Sequence, residues 1–393
     1  MKDEKKAPKL RFKGFTDDWE QCKLGDVASF TNGRAYKQDE LLDKGKYRVL
    51  RVGNLYTNDS WYYSNMELDD KYYINKGDLI YTWSATFGPH IWDGEKAIYH
   101  YHIWKVELSD YLDKKFATQL LESDKAKLLS NTNGSTMIHI TKNGMENKQV
   151  ILPSITEQSC IGKLLRNLDQ TITLHEEKKR QLEHLKSALL QRMFADKSKD
   201  PSVRFKGFSD EWEQCKLGDI SSSYSGGTPK AGTRKYYNGK IPFIRSGEIS
   251  NDFTELTITE DGLSNSAAKM VGKGDILYAL YGATSGEVSI ARINGAINQA
   301  IMAIKPFEGY DSYLLASLLQ NNKTKITEKY LQGGQGNLSA TIVKNLKLKV
   351  PSSKEQKLIG ILLLRLDRSI TLYEHKLELF KRLKSSLLQN MFI

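Results

Sequence analysis

Two long stripes of apolar residues at helical spacing dominate the hydrophobic pattern. The first follows Pro153 and ends at Met193, and the second follows Pro351 and ends at Met391. Apolar positions recur in steps of alternating four and three, a heptad seam that the polar residues His175 and Lys179 weaken in the first stripe. Each stripe predicts a helix of about 38–40 residues, roughly 60 Å long.

The start of each predicted helix carries the pattern of a capping box. Ser154 stands three residues before Glu157, and Ser352 stands three residues before Glu355. In a capping box the serine hydroxyl accepts the N3 amide while the glutamate accepts the amide of the cap residue. We therefore expect both helices to begin at these serines.

Neither helix can bury its stripe alone, and each has a partner of equal length and period. We expect the two to pack as an antiparallel coiled coil, because two equal units related by a pseudo-two-fold axis would close in that way. The alternative is that each helix packs on the domain that precedes it. The seam also makes His175 a register-setting polar residue rather than a metal ligand.

The chain is a tandem duplication. Residues 11–27 recur as residues 204–220, and the helix starts recur 198 positions apart. We call residues 11–27 and 204–220 the entry segments. The two regions that lie between an entry segment and its long helix are much less similar to each other. The predicted boundaries are a disordered tail at 1–9, a first globule at 10–152, a helix at 153–195, a linker at 196–203, a second globule at 204–350 and a helix at 351–393.

Inside each repeat, short β-type runs alternate with turns and one helical segment precedes the last turn. The fold class is therefore α+β, with two tandem globules of α/β type, each followed by a long helix. The predicted strands lie at 47–52, 76–81 and 97–106 in the first repeat and at 241–245, 273–278, 288–293 and 296–304 in the second. The predicted helical segments lie at 111–130 and 310–330.

Composition points to a cytoplasmic protein with a polyanionic partner. The formal charge is +11 with a pI near 9.2, and Tyr, Trp and Phe are abundant, which favours nucleic acid without requiring it. No apolar run approaches the roughly 18 residues of a membrane span. The charged start has no apolar signal region. Three cysteines without a C-x-x-C pair indicate a reducing compartment, with Cys22 and Cys215 as buried thiols.

The sequence carries no motif that predicts catalysis. No phosphate-binding loop of the type G-x-x-x-x-G-K-[ST] occurs. No two prolines are adjacent either, so the sequence lacks the Asp/Asn-Pro-Pro-aromatic signature of amino-methyltransferases. His100 and His102 share one face of a predicted strand and could hold a metal, but the second repeat has no ligands there. Packing or polar contact is the preferred interpretation for both, and we expect neither metal nor enzymatic activity in this chain.

Three families of loops recur at matched places and favour nucleic-acid contact. The first lies at 31–37 and at 225–230, the latter followed by Arg234 and Lys235; the second lies at 82–88 and 279–286, and the third at 131–136 and 332–337. Glycine lets the backbone approach a phosphate or base, and polar side chains supply groove-reading donors and acceptors. Ordinary surface turns are the alternative for any single loop. The candidate DNA-binding residues are Arg34, Tyr36, Lys37, Trp83, Ser84, Asn133, Ser135, Thr228, Lys230, Arg234, Lys235, Tyr281, Thr284, Gln335 and Asn337.

The entry segments repeat almost unchanged, which suggests one surface used twice. Candidates for subunit docking are Trp19, Glu20, Gln21, Trp212, Glu213 and Gln214. The tryptophans also suit a core position, whereas the polar pairs are harder to explain by folding alone.

With these motifs the chain resembles the specificity (S) subunits of type I restriction–modification systems over essentially its whole length. Each half opens with tryptophan followed by Leu-Gly-Asp, and each long helix starts with Pro, Glu-Gln and a later Leu-Asp. The second half also has Gly226-Gly227-Thr228-Pro229 and Asn298-Gln299. In the first half, Asn32-Gly33-Arg34-Ala35 and Tyr99-His100 stand where those two motifs would be.

The resemblance implies two target-recognition domains, each reading one half of a bipartite asymmetric DNA site, with the paired helices as spacer. It implies two methyltransferase (M) subunits and translocating restriction (R) subunits as partners. S-adenosylmethionine would belong to the M subunits, and ATP with Mg²⁺ to the R subunits. The alternatives are a stand-alone DNA-modifying enzyme and a coiled-coil scaffold whose globules bind protein or glycan.

Overall fold

The computed structural model describes residues 7–84, 86–131, 140–194, 201–331 and 337–392. The predicted tail at 1–9 and linker at 196–203 lie largely outside these ranges. Within them, no helix combines the length and the apolar character that a membrane crossing requires.

The first half of the chain alternates short strands with helices and ends in one long helix. Its elements are β1 Glu20–Lys23, α1 Leu24–Val27, β2 Ala28–Asn32, β3 Tyr47–Leu50, β4 Tyr62–Ser64, β5 Tyr73–Ile74, β6 Leu79–Thr82, β7 Gly88–Ile91, β8 Ala97–Tyr99, β9 Ile103–Leu108, α2 Lys114–Asn131, α3 Lys142–Glu146, β10 Gln149–Leu152 and α4 Ile155–Met193. Short 3₁₀ helices lie at Gln38–Glu40, Val52–Leu55 and Asp70–Tyr72.

The second half repeats this order with two differences: it has an additional short helix, α6, and the counterpart of α2 is broken into two helices, α7 and α8. Its elements are β11 Glu213–Lys216, α5 Leu217–Ile220, β12 Ser221–Ser225, β13 Tyr237–Ile244, β14 Thr257–Ile258, α6 Glu260–Ser264, β15 Lys269–Val271, β16 Ile276–Ala279, β17 Val288–Ile290, β18 Gly295–Ile297, β19 Ile301–Pro306, α7 Ser312–Asn321, α8 Lys323–Tyr330, α9 Ala340–Lys344, β20 Lys347–Val350 and α10 Ser353–Met391. Its 3₁₀ helices lie at Arg234–Tyr236, Ser246–Glu248 and Gly282–Thr284.

Each globule contains two four-stranded sheets and a two-stranded ribbon. In the first the sheet orders are β2-β9-β6-β7 and β4-β3-β8-β5, and β1 pairs with β10. In the second they are β12-β19-β16-β17 and β14-β13-β18-β15, and β11 pairs with β20. The two globules therefore share one topology, and the predicted α+β class is confirmed.

Two predicted strands are in fact strand pairs. The run at 97–106 divides into β8 and β9, and the run at 296–304 divides into β18 and β19, each with a turn of three residues between them. β8 is parallel to β3, whereas β9 is antiparallel to β2 and β6. A continuous run of β-forming residues does not show where the chain leaves one sheet and enters another. The sequence therefore predicts a single strand at each place.

The chain forms two compact units, and each unit takes its long helices from both halves. Unit 1 contains residues 1–177 and 375–393, and unit 2 contains residues 178–374. Unit 1 thus holds the first globule, the start of α4 and the end of α10. Unit 2 holds the second globule, the end of α4 and the start of α10. The predicted pseudo-two-fold relation between the units stays a prediction.

The apolar seam of each long helix packs partly against a globule and partly against the other long helix. In unit 1, Ile161 and Leu165 of α4 lie in the globule core together with Met391 and Phe392 from the end of α10. In unit 2, the equivalent start of α10 and end of α4 lie in the second core. The alternative interpretation, in which each helix packs on its own domain, is therefore correct for the first turns of each helix.

Direct packing of α4 on α10 follows these turns, and it is antiparallel. In unit 1, Leu168 and Ile172 contact Leu377, and the His175 ring lies edge-on to Phe380 with ring centroids 5.1 Å apart. In unit 2, Lys179 of α4 pairs with Glu374 of α10 at 2.9 Å. The predicted antiparallel helix pair is thus confirmed within each unit.

One aspartate in each unit joins the two helices to the globule. In unit 1, Asp169 of α4 accepts a hydrogen bond from Gln119 of α2 at 2.8 Å and pairs with Lys384 of α10 at 2.5 Å. In unit 2, the repeat-equivalent Asp367 accepts from Tyr313 of α7 and pairs with Lys186 of α4. These contacts explain why a Leu-Asp pair occurs at the same place in both helices.

In both predicted capping boxes the glutamate has a role different from the one expected. The Ser154 hydroxyl does accept the Glu157 amide, at 3.4 Å. However, the Glu157 carboxylate is 1% exposed and binds Arg11 of the entry segment through two bonds of 2.9 and 2.7 Å. Glu355 binds Arg204 in the same way, at 3.0 and 2.7 Å. The glutamates therefore fix the entry segment to the helix start rather than cap the helix.

The glutamine that follows each of these glutamates is also buried and joins a second element to the helix start. Gln158 donates to the carbonyls of Pro153 and Tyr111 and accepts from the amide of Asp113. Gln356 donates to the Pro351 carbonyl and accepts from the Asp311 amide. The Glu-Gln pair thus ties the entry segment and the chain before α2 or α7 to the long helix.

We predict that Arg11→Leu lowers the free energy of unfolding of unit 1 by about 3 kcal/mol, because it leaves the buried Glu157 carboxylate without its cation. The double change with Glu157→Leu should recover most of this loss. Urea unfolding followed by tryptophan fluorescence measures it, since five of the six tryptophans lie in unit 1.

Lys13→Leu is the matched control, because Lys13 is an exposed cation of the same segment. Equal stability of Arg11→Leu and Lys13→Leu would contradict the structural role of the ion pair.

Candidate nucleic-acid interface

The backbone bonds of the first loop family fix which residues of the two globules are equivalent. The Arg34 amide donates to the Tyr99 carbonyl at 3.0 Å, and the Gly227 amide donates to the Ile297 carbonyl at 3.2 Å. Arg34 therefore stands at the place of Gly227, one position later than the sequence comparison suggests. By the same register His100-Tyr101, rather than Tyr99-His100, occupies the place of Asn298-Gln299.

Close backbone approach explains the glycine at the start of both loops. A Cβ on Gly33 would lie 2.3 Å from the Tyr99 carbonyl oxygen, and one on Gly226 would lie 1.9 Å from that of Ile297. No side chain fits at these distances. This glycine therefore brings the first loop against the turn between β8 and β9, or between β18 and β19.

In unit 2 this approach joins the two motifs of the resemblance. The Thr228 hydroxyl lies 2.6 Å from Oε1 of Gln299 and donates to it. Both side chains belong to exposed turns at the same end of the globule. Three further candidates of this loop, Lys230, Arg234 and Lys235, are exposed, so the loop offers hydroxyl, amide and cationic groups together.

The first loop of unit 1 is arranged differently, and its candidate Arg34 has an intramolecular partner. The Arg34 guanidinium binds the Glu40 carboxylate at 2.7 and 3.0 Å, and this contact lowers the pKa of Glu40. An intramolecular ion pair therefore holds the Arg34 side chain against Glu40. Tyr36 lies against the Val49 and Ile98 cluster, where burial raises its pKa. Lys37 remains exposed.

The second and third loop families meet in unit 2. In unit 2, Tyr281 forms an isolated bridge with Asn337, and Thr284 lies in the same loop as Tyr281 with its hydroxyl 3.4 Å from the Tyr281 carbonyl. In unit 1, Trp83 and Ser84 are partly exposed at the equivalent place. The candidates Asn133, Ser135 and Gln335 lie outside the described residues.

A cavity of about 570 Å³ lies beside the first and second loop families of unit 1. Its wall includes residues that the sequence reasoning missed, because only folding brings them beside the loops. The lining residues are Thr31, Asn32, Lys71, Tyr72, Trp83, Trp104, Ile140, Thr141 and Lys142.

His100 and His102 lie in the turn between β8 and β9, not on one strand as predicted. Their rings are 5.0 Å apart and contact Tyr101, and His102 also packs edge-on to Trp83. Burial lowers the pKa of His100 to about 4 and also lowers the pKa of His102. In the described part of the chain no three His, Cys, Asp or Glu side chains are grouped as metal ligands.

The entry segments divide into a buried and an exposed part. Trp19 and Trp212 are 2% and 5% exposed and belong to the two cores, so neither indole is available to a partner subunit as the docking prediction requires. Glu20, Gln21, Glu213 and Gln214 are exposed on β1 and β11. Cys22 and Cys215 on these strands are partly rather than fully buried.

The fold and the loop ends define a class of protein in which two globules of one topology present different polar loops and share two long antiparallel helices. The family model described as "Type I restriction modification DNA specificity domain" matches residues 16–184 and 209–382. The chain belongs to this family. It is the specificity subunit of a type I restriction–modification system and not a catalytic subunit.

Individual relatives and one solved structure agree with this assignment. The chain is 24% identical over 401 residues to the type I restriction enzyme MjaVIII specificity subunit of Methanocaldococcus jannaschii, covering 95% of this chain and 91% of the relative. It is 25% identical to the EcoBI specificity subunit of Escherichia coli, covering 74% and 66%. The crystal structure of the type I S subunit from M. genitalium superposes with a TM-score of 0.70 at 17% identity, covering 98% and 99%, which supports the fold.

We predict that the stability of unit 1 falls as the pH is lowered from 7 towards 4, in part through His90. Burial lowers the pKa of His90 to about 4, and its Nε2 lies 2.9 Å from the Tyr56 hydroxyl. Between pH 4 and pH 6.5, His90 is protonated in the unfolded chain but neutral in the folded chain. The loss at pH 5 is therefore about 2 kcal/mol for this group.

His90→Gln can keep the contact with Tyr56 and should make the dependence of unfolding free energy on pH shallower between pH 7 and 5. The control is His184→Gln, since His184 is exposed on α4. An unchanged slope in His90→Gln would show that His90 takes up its proton in the folded state.

Proposed function

We propose that this chain recognises a bipartite, asymmetric site on double-stranded DNA, with one half-site read by each globule. The observation that carries the proposal is that the two globules share one topology but present different side chains at equivalent loop positions. Arg34 stands where the other globule has Gly227, and Tyr101 stands where it has Gln299. Different donors and acceptors on one scaffold select different base edges, so the two half-sites should differ.

Charge supports DNA as the ligand. The chain carries a formal charge of +11, and Lys37, Lys230, Arg234 and Lys235 are exposed on the first loop family. Cations of this kind bind phosphates, fix the protein's register on the duplex and make affinity fall steeply with salt. Thr228 and Gln299 beside them are suited to base edges in the major groove.

A surface that occurs once in each unit supports docking of two identical partners. Unit 1 exposes Leu174 of α4 and Leu383 of α10, and unit 2 exposes their repeat equivalents Leu372 and Leu185; the four are 45–67% exposed. Each unit also exposes the Glu-Gln pair of its entry strand. Because these exposed leucines recur at repeat-equivalent positions, they support one docking surface that is used twice.

On this proposal two methyltransferase (M) subunits dock on the repeated surface, and restriction (R) subunits join them. S-adenosylmethionine would be bound by the M subunits, and ATP with Mg²⁺ by the R subunits. The long helices would set the spacing of the half-sites. Each has 39 residues, about 58 Å of helix, against about 34 Å for one turn of DNA.

We predict that replacing residues 28–152 with the corresponding region of another specificity subunit changes one half-site and leaves the other unchanged. The reason is that unit 1 contains the loops of the first globule, while the loops of the second lie in unit 2. Mapping methylated bases in cells that carry this chain and its partner subunits measures both half-sites at once.

The reciprocal exchange of residues 221–350 is the matched control and should change the other half-site. A change of both half-sites by either exchange would contradict the division between the globules. In parallel, the purified wild-type complex should bind its mapped site with a steep negative slope of log K against log salt concentration. A flat dependence would contradict DNA contact by the exposed cations.

A further inference from the structure

Arg51 of unit 1 and Arg245 of unit 2 occupy equivalent places in the two globules. Arg51 directly follows β3, which runs parallel to β8, and Arg245 directly follows β13, which runs parallel to β18 in the same register. The carboxyl ends of parallel strands meet at one edge of a sheet. The amide of His100, in the turn after β8, accordingly donates to the Leu50 carbonyl at 2.9 Å. Both arginines therefore lie at the end of the globule where the first loop family meets this turn.

In unit 2 two carboxylates bind this arginine. The Arg245 guanidinium donates to Glu248 through bonds of 2.9 and 3.0 Å and to Glu255 at 2.5 Å. The Glu248 side chain is only 9% exposed. An ion pair of this kind is costly to break, because separation leaves a largely buried carboxylate without its cation. An intramolecular network therefore holds Arg245 in place.

Unit 1 lacks the first of these carboxylates. The Arg51 amide donates to Asn54 Oδ1 at 3.2 Å, as the Arg245 amide donates to the Glu248 carboxylate at 3.1 Å. Asn54 therefore stands at the place of Glu248. Its Nδ2 donates to two backbone carbonyls of the following loop, at 3.0 and 2.8 Å. Since this side chain is uncharged, Arg51 gains no anion from it.

Unit 1 also lacks the second carboxylate, and it has an aromatic ring beside the arginine instead. In the register of the strands, Tyr62 of β4 stands at the place of Leu256, and Trp61 stands at the place of Glu255. The Cζ atom of Arg51 lies 4.2 Å from the centroid of the Tyr62 ring. A guanidinium that lies over an aromatic ring keeps its plane fixed and its hydrogen-bonding edge free.

The Arg51 guanidinium has no hydrogen-bond or ion-pair partner among the residues that the structure describes. Its Nε is enclosed and unbonded, whereas the residue as a whole is partly exposed. Nη1 and Nη2 are therefore the nitrogens that a ligand can reach. Burial, with the neighbouring His102 and Arg51, lowers the pKa of His100 to about 4. The His100 imidazole is thus neutral at pH 7, and Arg51 supplies positive charge beside the turn.

We propose that Arg51 reads a guanine of the first half-site in the major groove, with Nη1 and Nη2 donating to its O6 and N7 atoms. This inference rests on the proposed DNA recognition and deepens it, since it names a specificity-determining residue of unit 1. A planar fork of donors matches the two acceptors on the guanine edge, and this is the commonest specific contact between arginine and DNA. A phosphate contact would use the same charge without reading sequence.

The test uses the complex with its partner subunits and the target site mapped as described above. In a set of duplexes, 7-deazaguanine replaces each guanine of the first half-site in turn, on either strand. This base lacks the N7 acceptor and keeps O6. At one position the wild-type complex should bind about tenfold more weakly, because a charged donor loses its acceptor. Inosine at that position keeps both major-groove acceptors and should leave the affinity unchanged.

Arg51→Ala should weaken binding to the intact site by about 5- to 100-fold and should no longer respond to 7-deazaguanine at that position. Arg51→Lys keeps the charge but not the fork of donors, so it should recover little of the loss. Arg48→Ala is the matched control, because Arg48 is an exposed arginine of β3 that lies over the Trp61 ring at 5.3 Å. It should keep the full effect of 7-deazaguanine.

The outcomes separate this inference from the proposed function. If the wild-type complex has no sequence preference at all, the proposed function fails. If it binds its site but no guanine of the first half-site is sensitive to 7-deazaguanine, the guanine contact is wrong and DNA recognition stands. Full recovery by Arg51→Lys would identify a phosphate contact and overturn the inference. The wild-type scan and Arg51→Lys decide the question even if Arg51→Ala does not fold.

Discussion

The antiparallel contact of the two long helices determines how the rest of the chain is arranged. Asp169 with Lys384 in unit 1 and Asp367 with Lys186 in unit 2 join each helix to the other half of the sequence. Each aspartate is also bonded to a helix of its own globule. Since the end of each long helix enters the core of the other half's unit, neither half of the chain contains all the residues of one compact unit.

This arrangement lets joints that are the same in both units and loops that differ between them serve separate purposes in one molecule. The Arg11–Glu157 and Arg204–Glu355 ion pairs fix the entry segments, and the buried glutamines beside the two glutamates hold the chain before α2 and α7. These joints are the same in both units, as are the exposed leucines. The loops at the far end of the sheets need keep only their glycine contact, so side chains such as Tyr101 and Gln299 are free to differ.

The sequence predicts the architecture well because its signals are periodic or repeated. The helix stripes at 153–195 and 351–393 correspond to α4 and α10 within two residues, and the duplicated entry segments show two equal units. Other features depend on contacts distant in sequence. Glu157 has the spacing of a capping residue, but Arg11 lies 146 positions away and no local pattern shows that the two meet. The change of sheet between β8 and β9 and the cavity beside Trp104 likewise arise only on folding.

The most direct test of the antiparallel contact is a charge-exchange cycle at Asp169 and Lys384. Asp169→Lys should destabilise unit 1, and adding Lys384→Asp should recover about 1 kcal/mol or more, because the exchanged pair can form again. Adding Lys186→Asp instead should recover nothing, since Lys186 pairs with Asp367 in unit 2. Strictly additive effects of Asp169→Lys and Lys384→Asp on the free energy of unfolding would contradict the helix pairing from which the rest of the account follows.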